Sequence, residues 1–251
     1  MANALGFVPG TEVHTPAGRA RIDALLVGDL VYSKSPGTGA IVSSRIREIL
    51  VTPKQEIHCL KITPSSEYLG AAEEHRTRDI NATFFVLAAV DHPIRLVPMS
   101  AALMQFRGTP QACCMPESGW ASVDQLFSQA GHCVELMDGT EGMVDSRSKV
   151  HRTTSPGVGW VIDEFTRDLG LDYGHRIDLR GSLPQFEPDD DYNKGVAWWE
   201  DGSGTEHTVI NLVVEGGSGY FVGREGVYVA SDAQPCGQPD LAHKAAQGRL
   251  P

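Results

Sequence analysis

The sequence predicts an all-β fold, mainly strands with one or two short helices. Three observations carry this. Glycine (27) and proline (15) cut the 251 residues into short apolar runs, as expected for many strands joined by turns. The stretch 207–215 is apolar on both faces of a strand: Val209, Asn211 and Val213 alternate with Ile210, Leu212 and Val214, so it reads as a strand buried on both sides. Only one stretch, 122–130, carries both a helix start and a helix stop signal.

In chain order, strands are expected at 12–15, 30–34, 41–50, 57–63, 83–90, 133–137 and 207–215. The helix at 122–130 has Ser122 at its N-cap, Gln125 three residues later as the partner of a capping box, and Gly131 to end it. The charged stretch 65–81 reads as a solvated hairpin extension. His75 lies in it within Glu73-Glu74-His75-Arg76-Thr77-Arg78-Asp79, a mixed-charge surface run. Gly216-Gly217-Ser218-Gly219 follows a strand with no helix after it, so a hairpin turn is expected there rather than a phosphate cradle. Residues 233–251 are rich in Ala, Gln, Gly and Pro and read as a mobile tail.

With 41% hydrophobic and 21% charged residues, the chain can bury a real core. A net charge of -11 argues against nucleic acid or an anionic membrane as a partner, because phosphate binding needs a basic footprint. No apolar run approaches the roughly 20 residues needed to span a bilayer. No secretory leader is visible before Gly6, so synthesis in the cytoplasm is expected, alone or within a larger exported polypeptide. A monomer is expected. The cysteines Cys59, Cys113, Cys114, Cys133 and Cys236 are odd in number and form no C-x-x-C pair; they suggest buried thiols rather than a disulfide framework.

Two blocks at opposite ends carry the strongest signal. The first holds Gly6-Phe7-Val8-Pro9-Gly10-Thr11, Val13-His14-Thr15-Pro16-Ala17-Gly18 and Leu26-Val27-Gly28-Asp29-Leu30-Val31. The second holds Thr208-Val209-Ile210-Asn211-Leu212-Val213-Val214-Glu215-Gly216, Tyr220-Phe221-Val222-Gly223 and Gly226-Val227-Tyr228-Val229. Together they resemble the Hint family, the self-cleaving fold of inteins and hedgehog C-terminal domains, and most of all the pretoxin type of bacterial polymorphic toxins. The resemblance implies a horseshoe with pseudo-twofold halves that brings both chain ends together. It implies a Hint-like domain over 1–231, interrupted by an insertion around 146–205 that is too short for a homing endonuclease, with 232–251 as the flexible tail. Its partners would be its own flanking segments or a fused C-terminal effector, and the reaction needs neither cofactor nor metal.

In that family the first residue, Cys or Ser, attacks the preceding carbonyl. A Thr-x-x-His motif stabilises the oxyanion and protonates the departing amine. A terminal His-Asn pair then cyclises to release the downstream segment. Carried over residue by residue, the nucleophile position is Gly6, which has no side chain. The central motif is Ala89-Val90-Asp91-His92-Pro93, with the histidine kept and the hydroxyl lost. A further family histidine aligns with Ser218, and the terminal pair is Ala230-Ser231, followed by Asp232. Of the positions Gly6, Ala89, His92, Ser218, Ala230 and Ser231, His92 alone keeps the family residue, so little or no self-cleavage is expected. The added losses at Ala89 and Ser218 favour natural drift over residues exchanged to trap a precursor.

The remaining candidates are weaker. Asp189 to Glu200 places carboxylates or a carboxamide at loop positions 1, 3 and 5 and Glu at 12, as in a calcium loop. Lys194 stands where the sharp turn needs glycine, and a solvated acidic loop is the expected form. The histidines show no zinc-binding spacing.

Overall fold

The computed structural model describes residues 5–69, 83–107, 119–126, 132–162, 174–189 and 203–232. Its strands are β1 (Glu12–Thr15), β2 (Gly18–Arg21), β3 (Leu30–Lys34), β4 (Ile41–Pro64), β5 (Phe84–Ala89), β6 (Pro93–Val97), β7 (Gly119–Ser122), β8 (Cys133–Glu135), β9 (Glu141–Lys149), β10 (His151–Arg152), β11 (Val158–Ile162), β12 (Gly174–Asp178), β13 (Gln185–Asp189), β14 (Glu206–Val214), β15 (Gly219–Val222) and β16 (Val227–Ala230). Two short helices, α1 (Ser65–Leu69) and α2 (Ala101–Arg107), complete a mostly β architecture. No helix among the described residues is long and apolar enough to cross a membrane.

The strands form a twelve-stranded sheet and a four-stranded sheet. The large sheet runs β14-β4-β9-β8-β6-β16-β15-β1-β2, with β3 and β5 also paired to β4 and β7 to β6. The small sheet is the meander β10-β11-β12-β13. Alternation divides the side chains between two cores. Leu60 and Ile62 of β4, with Ile210, Leu212 and Val214 of β14, enter the main core around Phe7, Ile94, Val123 and Val229. Ile57 and Cys59 of β4 and Val209 of β14 face instead a second core, shared with Val161, Ile177 and Leu179 of the small-sheet region. Burial on both faces is the condition expected of β14, and from Val209 to Val214 every residue is buried.

Several expectations need correction. The two strands expected at 41–50 and 57–63 are one 24-residue strand, β4. Pro53 and Lys54 do not break it: the register moves from Val209↔Thr52 to His207↔Gln55, and Lys54 adopts φ +53. The proline, which has no N–H to give a ladder, sits in a bulge. The helix expected at 122–130 is a three-residue 3-10 turn, Val123–Gln125, with extended backbone at Leu126; residues 127–131 lie outside the described residues. The Gln125 half of the capping box forms, its Oε1 accepting the Ser122 N–H at 3.1 Å. The next N–H groups reach distant carbonyls, Val123 to His92 and Asp124 to Val90, which ties this turn to the one that holds His92. The stretch expected as a hairpin from residue 65 opens instead as α1, and residues 70–82, His75 among them, lie outside the described residues.

Gly216 to Gly219 is a corner and not a hairpin turn. β14 pairs with β4, whereas β15 pairs with β1 and β16. A Cβ at Gly217 would lie 2.1 Å from the Ser33 hydroxyl, so the corner passes too close to β3 for a side chain. Residues 146–149, counted with the insertion in the sequence reading, belong to β9 of the large sheet.

Candidate functional site

The N-terminal segment enters the fold between two strands. Phe7 donates its N–H to the Ile210 carbonyl at 2.9 Å and accepts the Ile210 N–H at 2.8 Å. On its other side Ala89 N–H reaches the Gly6 carbonyl at 2.9 Å, and Val8 N–H reaches Leu87 at 3.3 Å. Gly6 therefore lies against Ala89. Gly6 adopts φ +137, and a Cβ there would sit 2.6 Å from the Ile210 carbonyl oxygen and 2.7 Å from its carbon. The backbone at this position is built around the absence of a side chain.

His92 closes the turn after β5, its N–H donating to Ala89 at 3.0 Å. The imidazole is wholly buried and packs edge-on to the Phe7 ring, with centroids 4.3 Å apart. Neither ring nitrogen has a hydrogen-bond partner. Burial pushes its pKa down to about 3, so the ring is neutral near pH 7. Beside it, burial and the nearby Asp124 raise the carboxyl of Asp91.

The C-terminal positions arrive on the hairpin β15–β16. Ser218 and Ser231 meet through the Ser231 N–H and the Ser218 carbonyl at 3.0 Å, and Ala230 pairs with Gly219. The Ser218 hydroxyl lies 3.1 Å from the Tyr228 hydroxyl. Val229 pairs with Ile94, two residues beyond His92, and shares the main core with Phe7.

A residue to which the sequence reading gave no role joins the two ends. Asn211 is fully buried, and its Nδ2 donates to the Ser231 carbonyl at 2.9 Å. Its Oδ1 accepts the Tyr220 hydroxyl at 2.8 Å, and that hydroxyl accepts the Leu212 N–H at 3.4 Å. Burial raises the Tyr220 phenol well above its usual range, which keeps it a neutral donor. Consecutive residues of β14 thus hold both termini: Ile210 by its backbone at Phe7, and Asn211 by its carboxamide at Ser231. One sequence signal was available, since a lone carboxamide in a doubly buried apolar strand needs internal partners.

Elsewhere, a cleft of about 690 Å³ is lined by Glu56, Lys149, Arg152, the 153–158 turn and residues 203–206. Part of its charge is internally matched: Lys149 lies 3.0 Å from Glu56, and His58 Nε2 meets the other Glu56 oxygen at 3.2 Å. The cleft is lined by none of Gly6, Ala89, His92, Ser218, Ala230 and Ser231. Cys59 and Cys133 are buried, with the Cys59 thiol pushed up to about 12 by burial. No group of three or more His, Cys, Asp or Glu could hold a metal among the described residues. Of the acidic loop Asp189 to Glu200 only Asp189 is described, at the end of β13; Cys113, Cys114 and Cys236 also lie outside the described residues.

No protein-family model matches the chain, and no curated protein matches it. Among solved structures it is similar to a bacterial intein-like domain from Clostridium thermocellum, at 16% identity and a TM-score of 0.47, over 90% of this chain and 97% of that one. It is also similar to a DnaB intein from Synechocystis sp. PCC 6803, at 9% identity and a TM-score of 0.44, over 92% of this chain and 100% of that one.

Proposed function

We propose that this chain is a Hint-type junction domain that holds its two flanking polypeptide segments at one buried seam and no longer cuts them. The observation that carries this reading is the fastening of Phe7 and Ser231 to adjacent residues of β14, beside a histidine sealed under Phe7. Bringing both ends of a chain to one place is what intramolecular cleavage demands, because proximity supplies much of its rate. The chemical groups for that reaction are missing from the seam. Gly6 offers no nucleophile, Ser231 no carboxamide to cyclise, and a neutral, depressed His92 has no proton to give a departing amine at pH 7. The role left to such a domain is presentation of a downstream effector within a larger, toxin-like polypeptide.

Intact mass spectrometry of the chain carrying a tag at each end tests this. The uncut mass is expected after prolonged incubation; spontaneous release of either tag overturns the no-cleavage reading. A Gly6→Cys, Ala230→His, Ser231→Asn triple variant is also expected to stay uncut, because a Cβ at position 6 meets the Ile210 carbonyl. Release of a tag from that variant would mean the seam is a cutting site disabled only by those substitutions.

A further inference from the structure

The small sheet meets the N-terminal segment at the Pro9-Gly10 turn as well as in the second core. After Val8 the chain turns through Pro9-Gly10, with Thr11 N–H on the Val8 carbonyl at 3.2 Å and Gly10 at φ +85. Proline followed by a positive-φ glycine is the arrangement of a type II turn. One flank of the turn is tied down by Asp23, whose Oδ1 accepts the Gly10 N–H at 2.8 Å. Against the other lies the loop between β12 and β13. A Cβ on Gly10 would stand 2.6 Å from the Ser182 carbonyl oxygen, 2.9 Å from Pro184 Cδ and 3.0 Å from Leu183 Cα, so backbone rests on backbone there. Val8, 1% exposed, is buried in the second core with Val161, Ile177 and Leu179.

We infer that the 181–184 loop is a strap: it clamps the Pro9-Gly10 turn, keeps Phe7 and Val8 on the sheet, and so keeps His92 shut off from solvent. Apart from the burial of Phe7 and Val8 and the bond from Ala89 N–H to the Gly6 carbonyl, the backbone pairing of this segment is short. Phe7 makes a two-bond bridge to Ile210, and Val8 a single 3.3 Å bond to Leu87. Short pairings of this kind open readily unless tertiary packing fixes them. The strap sets access to the histidine whether or not any junction is cleaved, so this inference does not depend on the proposed function.

The test uses the whole chain and two readouts that a general loss of stability would not select. These are amide exchange at Phe7 and Val8, and the NMR titration of His92. A Leu183→Gly, Pro184→Gly variant leaves the turn itself untouched. It should raise exchange at Phe7 and Val8 at least about tenfold, and move the His92 titration from about 3 toward the ordinary value near 6.5, with Leu212 exchange unchanged. Gly10→Ala should act in the same direction by pushing the loop off. Gly18→Ala is the control, because Gly18 has φ +111 but a Cβ there meets nothing within 4 Å. Unchanged exchange and titration in the loop variant overturn the inference, as does the same response from Gly18→Ala.

Discussion

At the scale of single residues, His92 dominates. An imidazole with no partner at either nitrogen, wholly buried against Phe7, is costly to keep, since an unsatisfied buried polar group costs about 1–3 kcal/mol. Its acid behaviour follows from linkage. Unfolded, the ring titrates near 6.5; folded, at about 3. Between those values the unfolded chain holds the proton and the folded one does not. The stability tied to this group is therefore intact above about pH 6.5 and is lost as the pH falls toward 3. At about 1.4 kcal/mol per unit, roughly 3 kcal/mol should be gone by pH 4.5. A His92→Leu variant is expected to be no less stable than the parent at pH 7 and to lose that much less on acidification, as measured by urea unfolding at both pH values. Equal acid losses in parent and variant would show that His92 is not sealed. Gly6 belongs to the same scale: the sequence shows a residue without a side chain, but only the φ of +137 and the closeness of Ile210 reveal that the backbone has no room for one.

At the scale of elements, β14 decides the seam. Its alternation and its burial on both faces could be read from Val209 to Val214 alone, because a two-residue period is a local property. Its polar interruption has consequences that stability can register. Asn211→Ala removes the donor to Ser231 and strands the Tyr220 hydroxyl, so a loss of about 2–3 kcal/mol is expected. Tyr220→Phe leaves the Asn211–Ser231 bond standing and should cost about 1 kcal/mol. Chemical denaturation of both variants checks the ranking; a larger loss from Tyr220→Phe would refute the network as described. Elements governed by distant partners were misread. β4 runs through Pro53 because β14 stays paired with it on both sides of the bulge that Pro53 and Lys54 form, and the 3-10 turn after Ser122 gives way to extended backbone at Leu126. Capping and proline signals report local preference, which tertiary hydrogen bonds override.

At the scale of the whole molecule, the question is how the two sheets share one fold. The second core draws Ile57, Cys59 and Val209 from the large sheet and Val161 and Ile177 from the small one, so neither sheet buries that face alone. Ile177→Ala, at a fully buried position, is expected to cost about 2–5 kcal/mol and to shift a single unfolding transition followed by both far-UV and tryptophan signals. Two separated transitions would mean the small sheet folds on its own. By itself, the sequence determined the β class, the positions of β1, β3, β5, β8 and β14 and the two terminal blocks, because these depend on residue type and short-range spacing. The tertiary structure alone decided that Ile210 and Asn211 hold Phe7 and Ser231 side by side, that the small sheet bears on the Gly10 turn, and that His92 is shut away neutral. Each of these depends on contacts between residues far apart in the chain, which no local pattern encodes.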